Sequence, residues 1–278
     1  MLINSEAISS RNNNFVKWAS SLDDKKNRNC EGYFMAEGVK LTVEALDAGL
    51  PVDYIVVCES KKNEIMQKIS KYVKCEKYEK CQIVTVTDGV FEKISTEKSP
   101  QGVISIIKHL DFFRKMDIIY KEEFFLAPEE KAIFLCSIRD PSNLGAVIRS
   151  SVAFGTEHIV LSADCADIYN PKTVRSAMGS LYRVKITTVA DTDSFISAAQ
   201  GNGRRVFAAE LSANAKSLNE VGLQSSDIVM IGNEGHGIPE SVSSICDGSV
   251  YIPISKKTES LNASVAAAIF MWEQNKSI

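Results

Sequence analysis

From residue 131 to the C-terminus, apolar runs of strand length alternate with helix-length segments that stop at glycine. That alternation limits the fold more than any other feature of the chain. The runs are 132–136, 159–161, 184–189, 206–209, 228–231 and 250–254. Between several of them lie segments 143–154, 172–178 and 194–200, closed by Gly155, Gly179 and Gly201, and a last segment, 262–274, ends the pattern. Short runs that are apolar throughout suit strands covered on both faces. Six such strands separated by helices predict an α/β fold with a mainly parallel, doubly covered sheet.

Residues 33–108 carry a second, smaller α/β pattern: an apolar-periodic stretch 38–48, a β-rich run 54–57, a charged stretch 61–73, then 83–86 and 103–107. Between the two patterns, residues 109–130 mix aromatics with charges and read as a connection. The expected organisation is an N-terminal domain 1–108, a linker 109–130 and a C-terminal domain 131–278. A length of 278 residues agrees with two domains.

Composition narrows the function classes. With 45% hydrophobic and 24% charged residues the chain can bury a core, which excludes disordered and collagen-like classes. The longest nearly apolar run, 263–272, reaches about half of the ~20 residues that cross a bilayer. The first 14 residues lack the apolar stretch of a secretory signal, so a cytoplasmic location is expected. Seven cysteines without a C-x-x-C pair, and only three histidines, predict reduced thiols and no metal site. A net charge of -3 argues against indiscriminate binding to phosphate backbones. Residues 1–108 hold 16 basic and 15 acidic side chains while the remainder holds 16 and 20, so the N-terminal part is the better polyanion reader.

Three segments could carry chemistry. Asp140-Pro-Ser-Asn-Leu-Gly-Ala-Val-Ile-Arg149 follows a strand and opens a helix, whose free N–H groups and dipole favour an anion. Arg149 has no acid three or four residues away, so its anion comes from elsewhere; an arginine snorkelling from a half-buried helix or bridging a distant carboxylate is the plainer alternative. Ile228-Val-Met-Ile-Gly-Asn-Glu-Gly-His-Gly-Ile-Pro239 runs an apolar strand into three glycines, where backbone approaches something closely. Its G-x-x-G-x-G order supports neither a dinucleotide fold nor a P-loop. Tyr251-Ile-Pro-Ile-Ser-Lys-Lys-Thr-Glu-Ser-Leu-Asn-Ala-Ser264 leads into the last helix, which Ser260 or Asn262 can cap; the two together exceed what one cap needs.

Together, in this order and spacing, these segments resemble the three signature motifs of the SpoU (TrmH-like) branch of the SPOUT RNA methyltransferases, over about residues 130–278. Tyr169-Asn-Pro-Lys-Thr-Val-Arg-Ser-Ala-Met-Gly179 resembles a family segment at the subunit interface and substrate edge. Tyr33-Phe-Met-Ala-Glu-Gly-Val-Lys40 is similar, more loosely, to the ribosomal-protein-like substrate-binding domain often fused to this fold.

The resemblance implies an S-adenosylmethionine-dependent enzyme that methylates a ribose 2'-hydroxyl of structured RNA, works as a homodimer, and ties its C-terminal domain into a deep trefoil knot. Two-domain members usually act on ribosomal RNA; a transfer-RNA 2'-O-methyltransferase, or a non-catalytic RNA-binding or ribosome assembly factor of the same fold, are the alternatives. It also implies catalytic roles for Asn143, Arg149, Glu234, Ser260 and Asn262, with Gly232, Asn233, Ile252, Ile254 and Leu261 around the cofactor. Arg149 then stabilises developing alkoxide charge, since a guanidinium stays protonated. For RNA binding the polar segment before Glu37-Gly38 offers Arg11, Lys17, Lys25, Lys26 and Arg28.

Overall fold

The structure, a computed structural model, describes every residue except 4–5, 111–112, 117–123, 234 and 277–278. The chain forms two compact units, one of residues 1–110 with 167–182, the other of residues 111–166 with 183–278.

The first unit runs β1 (Leu2–Ile3), α1 (Asn14–Ser21), α2 (Lys25–Glu31), β2 (Tyr33–Glu37), α3 (Val39–Asp47), β3 (Val52–Cys58), α4 (Lys62–Val73), β4 (Gln82–Val86), α5 (Asp88–Ile94) and β5 (Val103–Lys108). Its sheet has the order β1-β4-β3-β5-β2, with β5 antiparallel to both neighbours. The alternation expected over 33–108 is present; β1, α1, α2, β2 and α5 add to it. The first two helices start where polar side chains satisfy free N–H groups: Asn13 accepts from Phe15, and Asp24 from Lys26 and Asn27. Gly32, at φ 72°, ends α2 in a conformation that glycine adopts without strain.

The second unit contains β6 (Phe113–Met116), β7 (Ala132–Leu135), α6 (Pro141–Ala153) and β8 (His158–Ser162). Then α7 (Pro171–Ala177) joins the first unit, and the second resumes with β9 (Lys185–Val189), α8 (Thr192–Gly201), β10 (Val206–Ala209), β11 (Lys216–Ser217), α9 (Leu218–Val221), β12 (Ile228–Ile231), α10 (Glu240–Ser243), β13 (Gly248–Tyr251) and α11 (Ala263–Gln274). Its eight strands lie in the order β11-β13-β10-β12-β7-β8-β9-β6, every pair parallel. The six expected strands are the inner ones. The two short edge strands were not anticipated, and β6 comes from the stretch read as a linker. The last expected strand is shifted: it ends at Tyr251, leaving Ile252 and Ile254 on the loop beyond it.

The central strands β7 and β12 are buried along their whole length, which is why they read as unbroken apolar runs. At the opposite end of the sheet from their loops, buried polar groups fix the incoming chain. The Arg204 guanidinium donates to the carbonyls of Ala127, Pro128, Glu130 and Ser226. The Glu130 carboxylate meets Lys185 Nζ at 2.7 Å and His158 Nδ1 at 3.3 Å, while His158 Nε2 sits 2.9 Å from Thr187 Oγ1. Burial would raise the Glu130 carboxyl, but its bonds from Lys185, the Ala127 N–H and His158 prevail and hold it below the usual carboxylate range.

Segment 167–182 belongs with the first unit through specific contacts. The Tyr169 ring stacks on Phe34 at 4.6 Å and on His109 at 4.2 Å, and its hydroxyl accepts the Leu110 N–H. Arg28 is 2% exposed; its guanidinium donates to Asp167 at 2.6 Å and to the carbonyls of Leu22 and Asp23. Arg28 therefore cannot also serve as an RNA contact, because burial and these partners occupy its donors. A basic residue in a polar stretch of sequence looks solvent-facing until its partner, 139 positions away, is known.

Candidate functional site where three loops meet

In a parallel sheet, loops leaving the C-terminal ends of adjacent strands share one edge and form the usual ligand crevice. Here β12 lies beside β7, with β10 and then β13 following. The loops after β7, β12 and β13 therefore leave at one edge, and they carry the three candidate motifs.

The first loop turns into α6. The Asp140 carboxylate accepts the Asn143 N–H at 2.9 Å and Pro141 occupies the first turn, where its missing N–H costs nothing. This cap sets Asn143 in the opening turn and Arg149 nearly two turns on. Arg149 is exposed on a helix whose other face is buried, and among the described residues no hydrogen bond or ion pair engages it, so it bridges no distant carboxylate. Its charge is available to an outside anion.

The second loop folds tightly on itself. Asn233 and Gly237 exchange backbone hydrogen bonds at 2.8 and 3.2 Å, and Asn233 Oδ1 accepts the Gly235 N–H at 2.9 Å. Gly232 is required by space: a Cβ there would lie 2.5 Å from the Gly237 carbonyl carbon, 2.7 Å from its oxygen and 2.7 Å from the Ile238 nitrogen. Glu234, expected to be catalytic, lies outside the described residues.

Two side chains join the later loops to the first. Asn233 Nδ2 donates to the Ser137 carbonyl at 2.9 Å, across 96 positions of sequence. Asn262 Nδ2 donates to Asn143 Oδ1 at 3.0 Å, across 119 positions. Asn262 has a second task, since its Oδ1 caps α11 by accepting the Ser264 and Val265 N–H groups. Capping and bridging are thus both performed by this one amide. Ser260 is exposed on the same loop, and its carbonyl accepts from Thr258 Oγ1. Ile252 and Leu261 are half-buried and Ile254 is 38% exposed, so this loop offers apolar side chains of the kind that a purine packs against.

In the first unit, Arg11, Lys17, Lys25 and Lys26 are exposed, Lys17 on α1 and the other two lysines in the first turn of α2. Arg11 Nε donates to the Gly89 carbonyl. Glu37, of the Glu37-Gly38 motif, holds a turn: its carboxylate accepts the Ser95 hydroxyl and the Thr96 N–H. Sequence reasoning missed Ser137, whose carbonyl anchors the glycine loop. Nothing in residue type or spacing marks it, because its contribution is a backbone conformation.

A parallel α/β unit with three motif loops gathered at the carboxyl edge of its strands, preceded in sequence by a small mixed-sheet unit, defines a two-unit protein with a candidate ligand-binding edge. The chain belongs to the SpoU rRNA methylase family, whose family model matches residues 130–272, and residues 13–105 match an MRM3-like substrate-binding domain. It is 28% identical over 266 residues to the 23S rRNA (guanosine(2553)-2'-O)-methyltransferase RlmP of Bacillus subtilis (strain 168), covering 95% of this chain and 97% of that one. It is 25% identical over 271 residues to the 23S rRNA (uridine(2479)-2'-O)-methyltransferase of Streptomyces viridochromogenes, covering 96% and 90%. Among solved structures, an AdoMet-bound rRNA methyltransferase from Sinorhizobium meliloti superposes with a TM-score of 0.80 at 26% identity, covering 99% of this chain and 98% of that one.

Proposed function

We propose that this protein is an S-adenosylmethionine-dependent methyltransferase that modifies a ribose 2'-hydroxyl of ribosomal RNA. The observation that carries the reading is the joining of the two late loops to the first through Asn233–Ser137 and Asn262–Asn143. It makes three segments, each unremarkable alone, into one site. The near-full-length likeness to ribosomal RNA 2'-O-methyltransferases supports the substrate class.

The bound cofactor supplies an electrophilic methyl carbon. The chain's own residues supply position and charge. Gly232, Asn233, Ile252, Ile254 and Leu261 hold the adenosine largely through backbone and apolar contact. Asn262 and Asn143, bonded to each other, tie the first and last loops together where the ribose would bind, and Ser260 is on the same loop as Asn262. A ribose hydroxyl is a poor nucleophile, so the site lowers the barrier by aligning it in line and stabilising the charge that develops on oxygen. Arg149 performs the second task and grips the neighbouring phosphate; the proton leaves to water or a phosphate oxygen. Arg11, Lys17, Lys25 and Lys26 read the RNA backbone.

The working form is a homodimer. On the second unit an open apolar groove between α6 and α11 is lined by Ser150, Phe154, Ser264, Val265, Ala268, Ile269 and Trp272, with Val265 and Trp272 47% and 57% exposed. A second copy covering this face removes that surface from water.

Incubation of the protein with methyl-labelled S-adenosylmethionine and ribosomal RNA tests the function. Label recovered on a ribose 2'-oxygen is the expected result; incorporation into transfer RNA alone, or into no RNA, refutes it.

A further inference from the structure

Ser137 follows β7 directly after Cys136 and has φ 58°, one of two non-glycine residues with positive φ among those described. A side chain in the left-handed region is strained, and such outliers persist only where the surroundings over-determine them. Here every polar group of Ser137 is held. Its N–H donates to Ser162 Oγ at 2.8 Å, its hydroxyl donates to Asp164 Oδ2 at 2.6 Å, and its carbonyl accepts from Asn233 Nδ2 at 2.9 Å. Asp164 organises the rest: Oδ1 accepts the Ser162 hydroxyl at 2.7 Å, and Oδ2 also takes Arg139 at 3.1 Å.

The consequence is directional. The left-handed turn aims the Ser137 carbonyl at Asn233, and Asn233 in turn closes the glycine loop by accepting the Gly235 N–H. Asp164, in the loop after β8, bonds to Ser137 and Arg139 of the first loop and, among the described residues, to none of the glycine loop. It nevertheless decides whether Ser137 holds the conformation that the glycine loop needs. Removing the carboxylate frees the hydroxyl, and the strained turn loses what secures it.

We infer that Asp164 and Ser137 are positioning residues for the cofactor site, a lock that presets the Gly232–Gly237 loop from the end of β8. The inference rests on the reading of that loop as cofactor-binding, and the two can be separated by experiment. Calorimetric titration with S-adenosylhomocysteine, and hydrogen exchange of the Gly235 and Gly237 amides in the cofactor-free protein, are measured for the wild type, Asp164→Ala, Ser137→Ala and Ser137→Gly. A hydrogen bond to a charged acceptor is worth enough that Asp164→Ala and Ser137→Ala each weaken binding about tenfold. Both speed exchange at the two amides, and the double variant is no worse than either single one. Ser137→Gly recovers most of the affinity lost in Ser137→Ala, because glycine takes positive φ without an anchor. A purely packing role predicts the opposite order, with glycine the worse replacement. Unchanged exchange in Asp164→Ala and Ser137→Ala, or glycine no better than alanine, overturns the lock. A wild type that shows no affinity for S-adenosylhomocysteine instead sinks the cofactor reading, and the exchange data still decide the lock.

Discussion

Gly232→Ala offers the most direct test of how closely the site is built. The added methyl would lie 2.5, 2.7 and 2.7 Å from three backbone atoms of Gly237 and Ile238, where ordinary contact begins at 3.4 Å. The obstructing atoms are main chain, so no side-chain rotation relieves the clash. The loop must open, and the paired bonds between Asn233 and Gly237 must lengthen or break. Overpacking of this kind costs about 1–3 kcal/mol. If the strain falls on the cofactor-bound geometry, affinity for S-adenosylhomocysteine drops about 5- to 150-fold at 1.4 kcal/mol per decade. The loop is at the edge of the sheet, so the urea midpoint should fall far less than a core clash would lower it. Calorimetric titration beside a denaturation curve reads both. Affinity within twofold of wild type would show that the Gly232–Gly237 approach has no part in holding the cofactor, and the assignment of this loop would fail.

Arg149→Ala should abolish methyl transfer while leaving S-adenosylhomocysteine affinity and the urea midpoint unchanged, because the side chain is exposed and unengaged among the described residues; retained turnover removes it from the mechanism. Asn262→Ala loses the α11 cap and the bond to Asn143 at once, so it should cost about 1 kcal/mol in urea denaturation and lower turnover as well. A loss of stability with full activity would leave Asn262 as a cap alone. Trp272→Glu places a charge on the apolar groove and should convert the proposed dimer to a monomer by light scattering; a mass equal to that of the wild type refutes the groove as a subunit contact. The depressed Glu130 carboxyl gives a signed pH dependence. Its contribution is complete above its unfolded value, near 4.5, and is lost as pH falls through the lower folded value. Glu130→Gln should therefore lower the urea midpoint at pH 7 and shrink the difference from wild type progressively as pH falls below 4.5; a constant difference across that range contradicts the assignment.

The sequence by itself determined the two α/β patterns, the six inner strands, the four expected helices of the second half and the motifs that match the family. Periodicity encodes local burial, and β7 and β12 are buried throughout, so their apolar runs were legible without a partner. That α11 has a polar cap was equally readable, since capping is a contact between close neighbours, although the sequence left Ser260 and Asn262 both open for it.

Tertiary structure decided the rest. Asn262 gains its second role only through Asn143, 119 residues earlier, and Arg28 loses its expected role to Asp167, 139 residues later. The edge strand β6 forms because β9 offers an unpaired ladder, and nothing in its own residues announces it. Ser137 is the clearest case, because its importance lies in a backbone angle that Asp164, Ser162 and Asn233 jointly impose. Local pattern reports which face of an element is buried; which distant groups share an edge depends on the order in which strands enter the sheet, and no short window of sequence contains that order.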